Sequence, residues 1–251
     1  MAYLKTSDLQ AFKALARTMY FSNDTVDHFL ETATAGQVIA VRGMIEHELS
    51  VRDERKIARL MRKAKFPQIK SFEGYDYSQV SFPEGYTSND LERTSFLDAA
   101  QDFVFYGQTG RGKTHLAIAI GIKCVQLGKE ARFFTAAELV MALEHAKRES
   151  SLEAFLKDLH KAELLIIDEL GYVPLSIESA RLLFQAMSEC YEKRSLIITT
   201  NIEFSKWGVV FGDDKMASAI IDRIMHHGRL VEFNGASKRM EQALMLGKSG
   251  E

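Results

Sequence analysis

Eight consecutive residues, Gly107-Gln108-Thr109-Gly110-Arg111-Gly112-Lys113-Thr114, fit the pattern G-x-x-x-x-G-K-T at every fixed position. Glycines let the backbone curl until its N–H groups point at phosphate oxygens, and a helix starting at such a loop adds its positive end. Lys113 is then the expected contact for β- and γ-phosphates, and Thr114 the hydroxyl for magnesium. His115 completes the stretch expected to touch nucleotide. The apolar run Phe103 to Tyr106, directly upstream, supplies the strand that this loop requires. A glycine-rich turn that binds nothing is the plainer alternative.

A second motif weighs against that alternative. Leu164-Leu165-Ile166-Ile167-Asp168-Glu169 is a buried-strand run ending in two carboxylates. Charge at the C-terminal end of a parallel strand sits where such sheets bind ligands. Asp168 is the candidate magnesium ligand alongside Thr114, and Glu169 the candidate group to polarise a water attacking the γ-phosphate. A third run, Leu196 to Thr200, ends in Asn201, whose amide can bond both water and a phosphate oxygen. Asn after a strand is usually a turn residue, so its weight comes from convergence: three strands deliver polar groups at one end, which points to hydrolysis as well as binding.

Phosphoryl transfer also needs a cation for charge that develops in the transition state, and a neighbouring subunit can supply it. Arg223, in the helical stretch Met216 to His227, and Arg239, after the last strand, are the candidates, with surface arginines as the alternative.

These groups need a scaffold. Apolar runs FVFYG, ARFFTA, LLIIDEL, SLIITTN and RLVEFNG alternate with amphipathic helices, which implies an α/β fold with a mostly parallel sheet covered on both faces. The first third differs: Leu9, Phe12, Leu15, Ala16 and Met19 follow helical spacing, so a small all-helical domain is expected over 1–66. The nucleotide-binding domain then spans 67–251, with 67–95 as a packed connector carrying Gly74, Pro83 and Gly85 among aromatics. No repeat or low-complexity tract is present.

The net charge of −2 over 251 residues conceals a strongly basic segment. Between 52 and 65, seven cations face two carboxylates. Arg52, Arg55, Lys56, Arg59, Arg62 and Lys63 fall on one helical stripe suited to DNA phosphates, with no aromatic ladder for single strands. A solvated basic face is the alternative. Cys124 and Cys190 lie in apolar or helical patterns with no C-x-x-C pair, and read as core thiols. No apolar run approaches the roughly 20 residues that cross a bilayer, and no signal pattern opens the chain. The expectation is a bacterial cytoplasmic protein with no membrane partner.

Taken together, GQTGRGKTHLAIAIG, LLIIDELGYVPL, ITTN, DRIMHHG and the upstream ARLMRKAKFPQIKSFEGYDY resemble the IstB-like transposition helper ATPases. These are relatives of DnaC-type helicase loaders within the AAA+ superfamily, and the likeness covers nearly the whole chain. The resemblance implies an ATPase core with the phosphate-loop strand beside the strand ending in Asn201, and ATP between adjacent subunits. By the same analogy Arg223 is an arginine finger acting in trans and Arg239 a second sensor. It further implies an ATP-dependent multimer on duplex DNA that engages a partner transposase and carries no nuclease site of its own. A helicase loader acting as a protein adaptor is the alternative. Two departures stand out: only twelve residues follow Arg239, too few for a full helical lid, and Lys238 replaces an aromatic residue.

Three remaining features invite smaller roles. His226 and His227 are adjacent on a helix and point apart, poor geometry for a shared metal. Trp207, Phe204 and Phe211 suit packing. Phe72, Tyr75 and Tyr77 are candidates to flank adenine, with packing as the alternative.

Overall fold

The computed structural model describes residues 6–172, 174–190 and 192–238. The chain divides into two compact units, residues 1–58 and 59–251. The first is helical: α1 (Thr6–Thr18), α2 (Asn23–Thr32) and most of α3 (Ala35–Ala64). Phe12, Ala16, Val26, Val38 and Ile45 form its core, with the Phe12 and Phe29 rings stacked 5.6 Å apart. The division falls inside α3, eight residues before the domain boundary expected from sequence.

The second unit holds a six-stranded sheet. In chain order its elements are β1 (Val80–Ser81), α4 (Ser88–Arg93), β2 (Asp102–Tyr106), α5 (Lys113–Gln126), β3 (Ala131–Thr135), α6 (Ala136–Arg148) and α7 (Leu152–Leu159). They continue with β4 (Leu164–Leu170), α8 (Ile177–Cys190), β5 (Ser195–Thr200), α9 (Trp207–Phe211), α10 (Asp214–His227) and β6 (Gly228–Phe233). The strand order is β1-β6-β2-β5-β4-β3. Five strands are parallel, and β1 pairs antiparallel with β6 at the edge. The five parallel strands are the five apolar runs of the sequence. β1 is an addition: two residues from the connector that pair with a strand some 150 positions later.

Because parallel strands are buried on both faces, alternate residues feed two layers. Val104, Leu165, Ile167, Leu196 and Ile198 pack into one core with α6, α8 and α10. On the opposite face the Phe103, Phe105 and Phe233 rings form an aromatic chain with Tyr86 and Phe96. Trp207 and Phe211 are buried, as their packing role requires, and both cysteines are buried free thiols. Burial pushes each thiol up to about 12. No described helix is long and apolar enough to cross a membrane.

Candidate functional site

β5 lies between β2 and β4, so the phosphate loop after β2 and the carboxylates of β4 flank the strand that leads to Asn201. Their C-terminal ends border a cleft of about 480 Å³ lined by loop residues Thr109 to His115, Glu169, Tyr172, Thr200 and Asn201.

The loop is closed around its own lysine. Lys113 begins α5 and is nearly buried, and its ammonium donates to the carbonyls of Gly107 and, at 2.9 Å, Gln108. Two glycines are sterically required. A Cβ on Gly107 would stand 2.3 Å from the Phe233 carbonyl, and one on Gly112, at φ +95°, would stand 2.7 Å from the Tyr75 hydroxyl. Arg111 donates to the Phe233 carbonyl at 3.1 Å, and the Thr109 and Tyr172 hydroxyls bond at 2.7 Å. The loop is thereby fixed to β6 and to the turn after β4.

Asp168 is 4% exposed and accepts from the Thr114 hydroxyl at 2.9 Å and 3.1 Å on its two oxygens. A bulge then redirects β4. Ile167 pairs with Ile198 and Leu170 with Thr200, so Asp168 and Glu169 together oppose Thr199. Glu169 takes φ 61°, a left-handed conformation uncommon for a residue with a side chain, and is exposed on the cleft. Thr199, 1% exposed, serves both acids: its hydroxyl donates to Asp168 Oδ1 and accepts from the Glu169 N–H at 3.0 Å. Thr199 was not among the residues singled out by sequence. Asn201 lines the cleft, and among the described residues its buried side-chain oxygen has no hydrogen-bond partner.

Tyr75 covers the start of α5. Its hydroxyl donates to the Gly112 carbonyl at 3.3 Å, and its ring lies 5.2 Å from the His115 ring. Burial, then the Asp76 charge, raises the phenol well above its ordinary range, so it remains a donor. A His115 ring nitrogen also lies 2.9 Å from the Ser71 carbonyl. Tyr77 packs beside Tyr75 at 4.7 Å but bonds to Glu92, while Tyr75 lines the cleft.

Arg223 is elsewhere. It bonds to the Ser188 hydroxyl, lies 5.2 Å from the Phe184 ring, and shares a small cavity with Asp102 and Leu196. These mark the starts of β2 and β5, the opposite strand ends from the cleft, about 13 Å away along a five-residue strand. Arg239 lies outside the described residues, as does the side chain of His227. Of the basic stripe, Arg55, Lys56, Arg59 and Arg62 are exposed. Arg52 pairs with Glu48 at 2.7 Å, and Lys63 pairs with Glu130 at 2.8 Å and Asp158 at 3.1 Å. Among the described residues no group of three or more His, Cys, Asp or Glu side chains is arranged to hold a metal.

The family model described as "IstB-like ATP binding protein" matches residues 17–245. The "Insertion sequence IS232 putative ATP-binding protein" of Bacillus thuringiensis subsp. berliner is 36% identical over 236 residues, covering 94% of each chain. The "Insertion sequence IS21 putative ATP-binding protein" of Pseudomonas aeruginosa is 34% identical over 203 residues, covering 81% of this chain and 77% of that one. Among solved structures, the DnaC helicase loader superposes with a TM-score of 0.52 at 24% identity, over 65% of this chain and 96% of that chain. That likeness is one of fold, a mostly parallel sheet flanked by helices.

Proposed function

The chain belongs to the family of IstB-like ATP-binding proteins, and from that premise we propose that it is a magnesium-dependent ATPase which assembles on duplex DNA and helps a partner transposase select and use an insertion site. The observation that carries the enzymatic part is the hydrogen-bonded joining of Thr114, Asp168, Thr199 and Glu169, of which Thr114, Thr199 and Glu169 line one cleft.

The oxygens of Thr114 and Asp168 suit a magnesium ion. The Thr114 hydroxyl and the Asp168 carboxylate, hydrogen-bonded at 2.9 Å and 3.1 Å, are the oxygen donors that would hold it. Magnesium is commonly held by one or two carboxylates plus phosphates, so the lack of a larger acidic cluster is compatible with it. When bound, the ion would neutralise charge that develops on the phosphoryl group being transferred. The Lys113 ammonium leaves the loop carbonyls for the β- and γ-phosphates, and Gly107 to Gly112 offer backbone N–H groups. Glu169 accepts a hydrogen bond, and then the proton, from the attacking water. Asn201 holds that water and a γ-oxygen in line.

Arg223 cannot reach its own cleft from the far ends of β2 and β5, so in this reading it completes the site of a neighbouring subunit. The exposed cations Arg55, Lys56, Arg59 and Arg62 hold DNA through phosphates without sequence choice. Transposition is favoured over helicase loading because the curated relatives named above belong to insertion sequences.

The test is ATP turnover by the wild type and by Glu169→Gln, with and without duplex DNA. The wild type should hydrolyse ATP, and the variant should bind ATP with turnover reduced by roughly a hundredfold or more. A wild type without turnover under either condition overturns the enzymatic reading.

A further inference from the structure

The segment after β6 returns to the phosphate loop. The backbone N–H of Lys238 donates to the Gly110 carbonyl at 3.0 Å, which fixes this residue on the loop itself. Its ammonium points to Asp76, 3.1 Å from a carboxylate oxygen, and lies 5.6 Å from the centre of the Tyr75 ring. Lys238 and Asp76 line the same cleft as Lys113 and Arg111. A lysine stem carries its ammonium through a radius of roughly 6 Å about Cα, and this Cα is held beside Gly110. A phosphate seated on the loop is within that sweep.

We propose that Lys238 is a second phosphate-directed cation of the cleft and that Asp76 competes with nucleotide for it. Polyphosphate binding then exchanges the Lys238–Asp76 pair for a Lys238–phosphate pair. This rests on the reading of the cleft as an ATP site. The pair is suited to exchange because it is weak: the two side chains are 38% and 53% exposed, and such pairs are screened by solvent and salt. A polyphosphate carries more charge than one carboxylate and binds the shared cation better. Asp76 is not stranded when the lysine leaves, because its Oδ1 also accepts from the Ser78 N–H at 2.9 Å. Hydrogen bonds from Ser78, and then Lys238, hold its carboxyl down at about 2, so the competitor stays charged at neutral pH. Asp76 in this role sets the nucleotide concentration at which the cleft fills.

The experiment is equilibrium binding of the ATP analogue AMPPCP to the wild type, Asp76→Asn, Lys238→Met, Lys238→Arg and the Asp76→Asn, Lys238→Met double variant, measured by calorimetry. Asparagine can still accept from the Ser78 N–H while removing the charge, so the local turn is kept. Asp76→Asn should tighten AMPPCP by roughly two- to fivefold. Lys238→Met should weaken it, Lys238→Arg should retain binding, and Asp76→Asn should have no effect in the Lys238→Met background. A purely structural strap predicts that Asp76→Asn and Lys238→Met shift affinity in the same direction. That result, or additive effects in the double variant, overturns the exchange. A wild type that does not bind AMPPCP overturns the ATP-site reading beneath it.

Discussion

Thr199 and Asp168 face each other across the β4–β5 bulge, joined by a hydrogen bond from a hydroxyl to a carboxylate that is almost closed to solvent. Because the Thr199 hydroxyl oxygen also accepts from the Glu169 N–H, one side chain orients Asp168 and fixes the backbone of Glu169, the two acids proposed to serve metal and water. Thr199→Val keeps the shape and removes the hydroxyl. Asp168 keeps the Thr114 hydroxyl as a donor, whereas the part-buried Glu169 N–H loses its acceptor, a cost of about 1–3 kcal/mol. ATP affinity should change little, while turnover should fall roughly tenfold to a hundredfold as Glu169 loses its aim. Urea unfolding and steady-state hydrolysis measure the two effects, and unchanged turnover would remove Thr199 from the mechanism.

Arg223 gives a test of the shared site. Arg223→Ala should bind ATP and fail to hydrolyse it, and mixing it with Glu169→Gln subunits should restore part of the activity. Rescue follows because an intact cleft on one chain meets an intact arginine on the next. Mixtures no more active than their parents would return Arg223 to a local role against Ser188 and Phe184.

The basic stripe divides into cations with and without acidic partners. Reversing Arg55, Arg59 and Arg62 to glutamate should abolish ATP-dependent retention on duplex DNA. Neutralising single members should flatten the logarithmic salt dependence by about 0.9 for each DNA phosphate that no longer meets a cation. Lys63→Ala should leave retention nearly intact and act on stability, because Glu130 and Asp158 already hold its ammonium. Filter binding across a salt series separates these outcomes, and retention by the triple variant would refute a DNA role for the stripe.

Asp158 gives a pH test. Burial opposes its charge, but hydrogen bonds from Lys63 and Arg132 outweigh burial and hold the carboxyl down at about 2. The unfolded-state value is about 4, so its contribution is complete above pH 4 and is lost as pH falls through 2. With 43% of the side chain exposed, that contribution is discounted to about 1 kcal/mol. Asp158→Asn should lose this amount at pH 7 and show a shallower decline between pH 4 and pH 2. Parallel denaturation curves for the two proteins would contradict the assignment.

Much of the nucleotide domain was legible in the sequence because its chemistry is local. The phosphate loop is one contiguous motif, and strands buried on both faces must be apolar runs, so all five parallel strands stood out. The rest depends on pairings that a linear pattern does not carry. β1 is too short for periodicity and exists because β6 passes beside it. Thr199 looks like any β-branched residue in a strand, and only the two-against-one register of the bulge brings its hydroxyl to both acids. Arg223 was visible as a candidate, but its place at the far strand ends depended on knowing which side of the sheet α10 packs against.

The left-handed backbone of Glu169 places stability and activity in opposition at one position. Glycine or asparagine would adopt φ 61° more readily, relieving a strain on the order of 1 kcal/mol. If Glu169 is the water-polarising acid proposed above, selection of this protein for heat resistance alone should favour replacing the residue that turnover needs. A thermostable variant altered at position 169 is then expected to bind ATP without hydrolysing it.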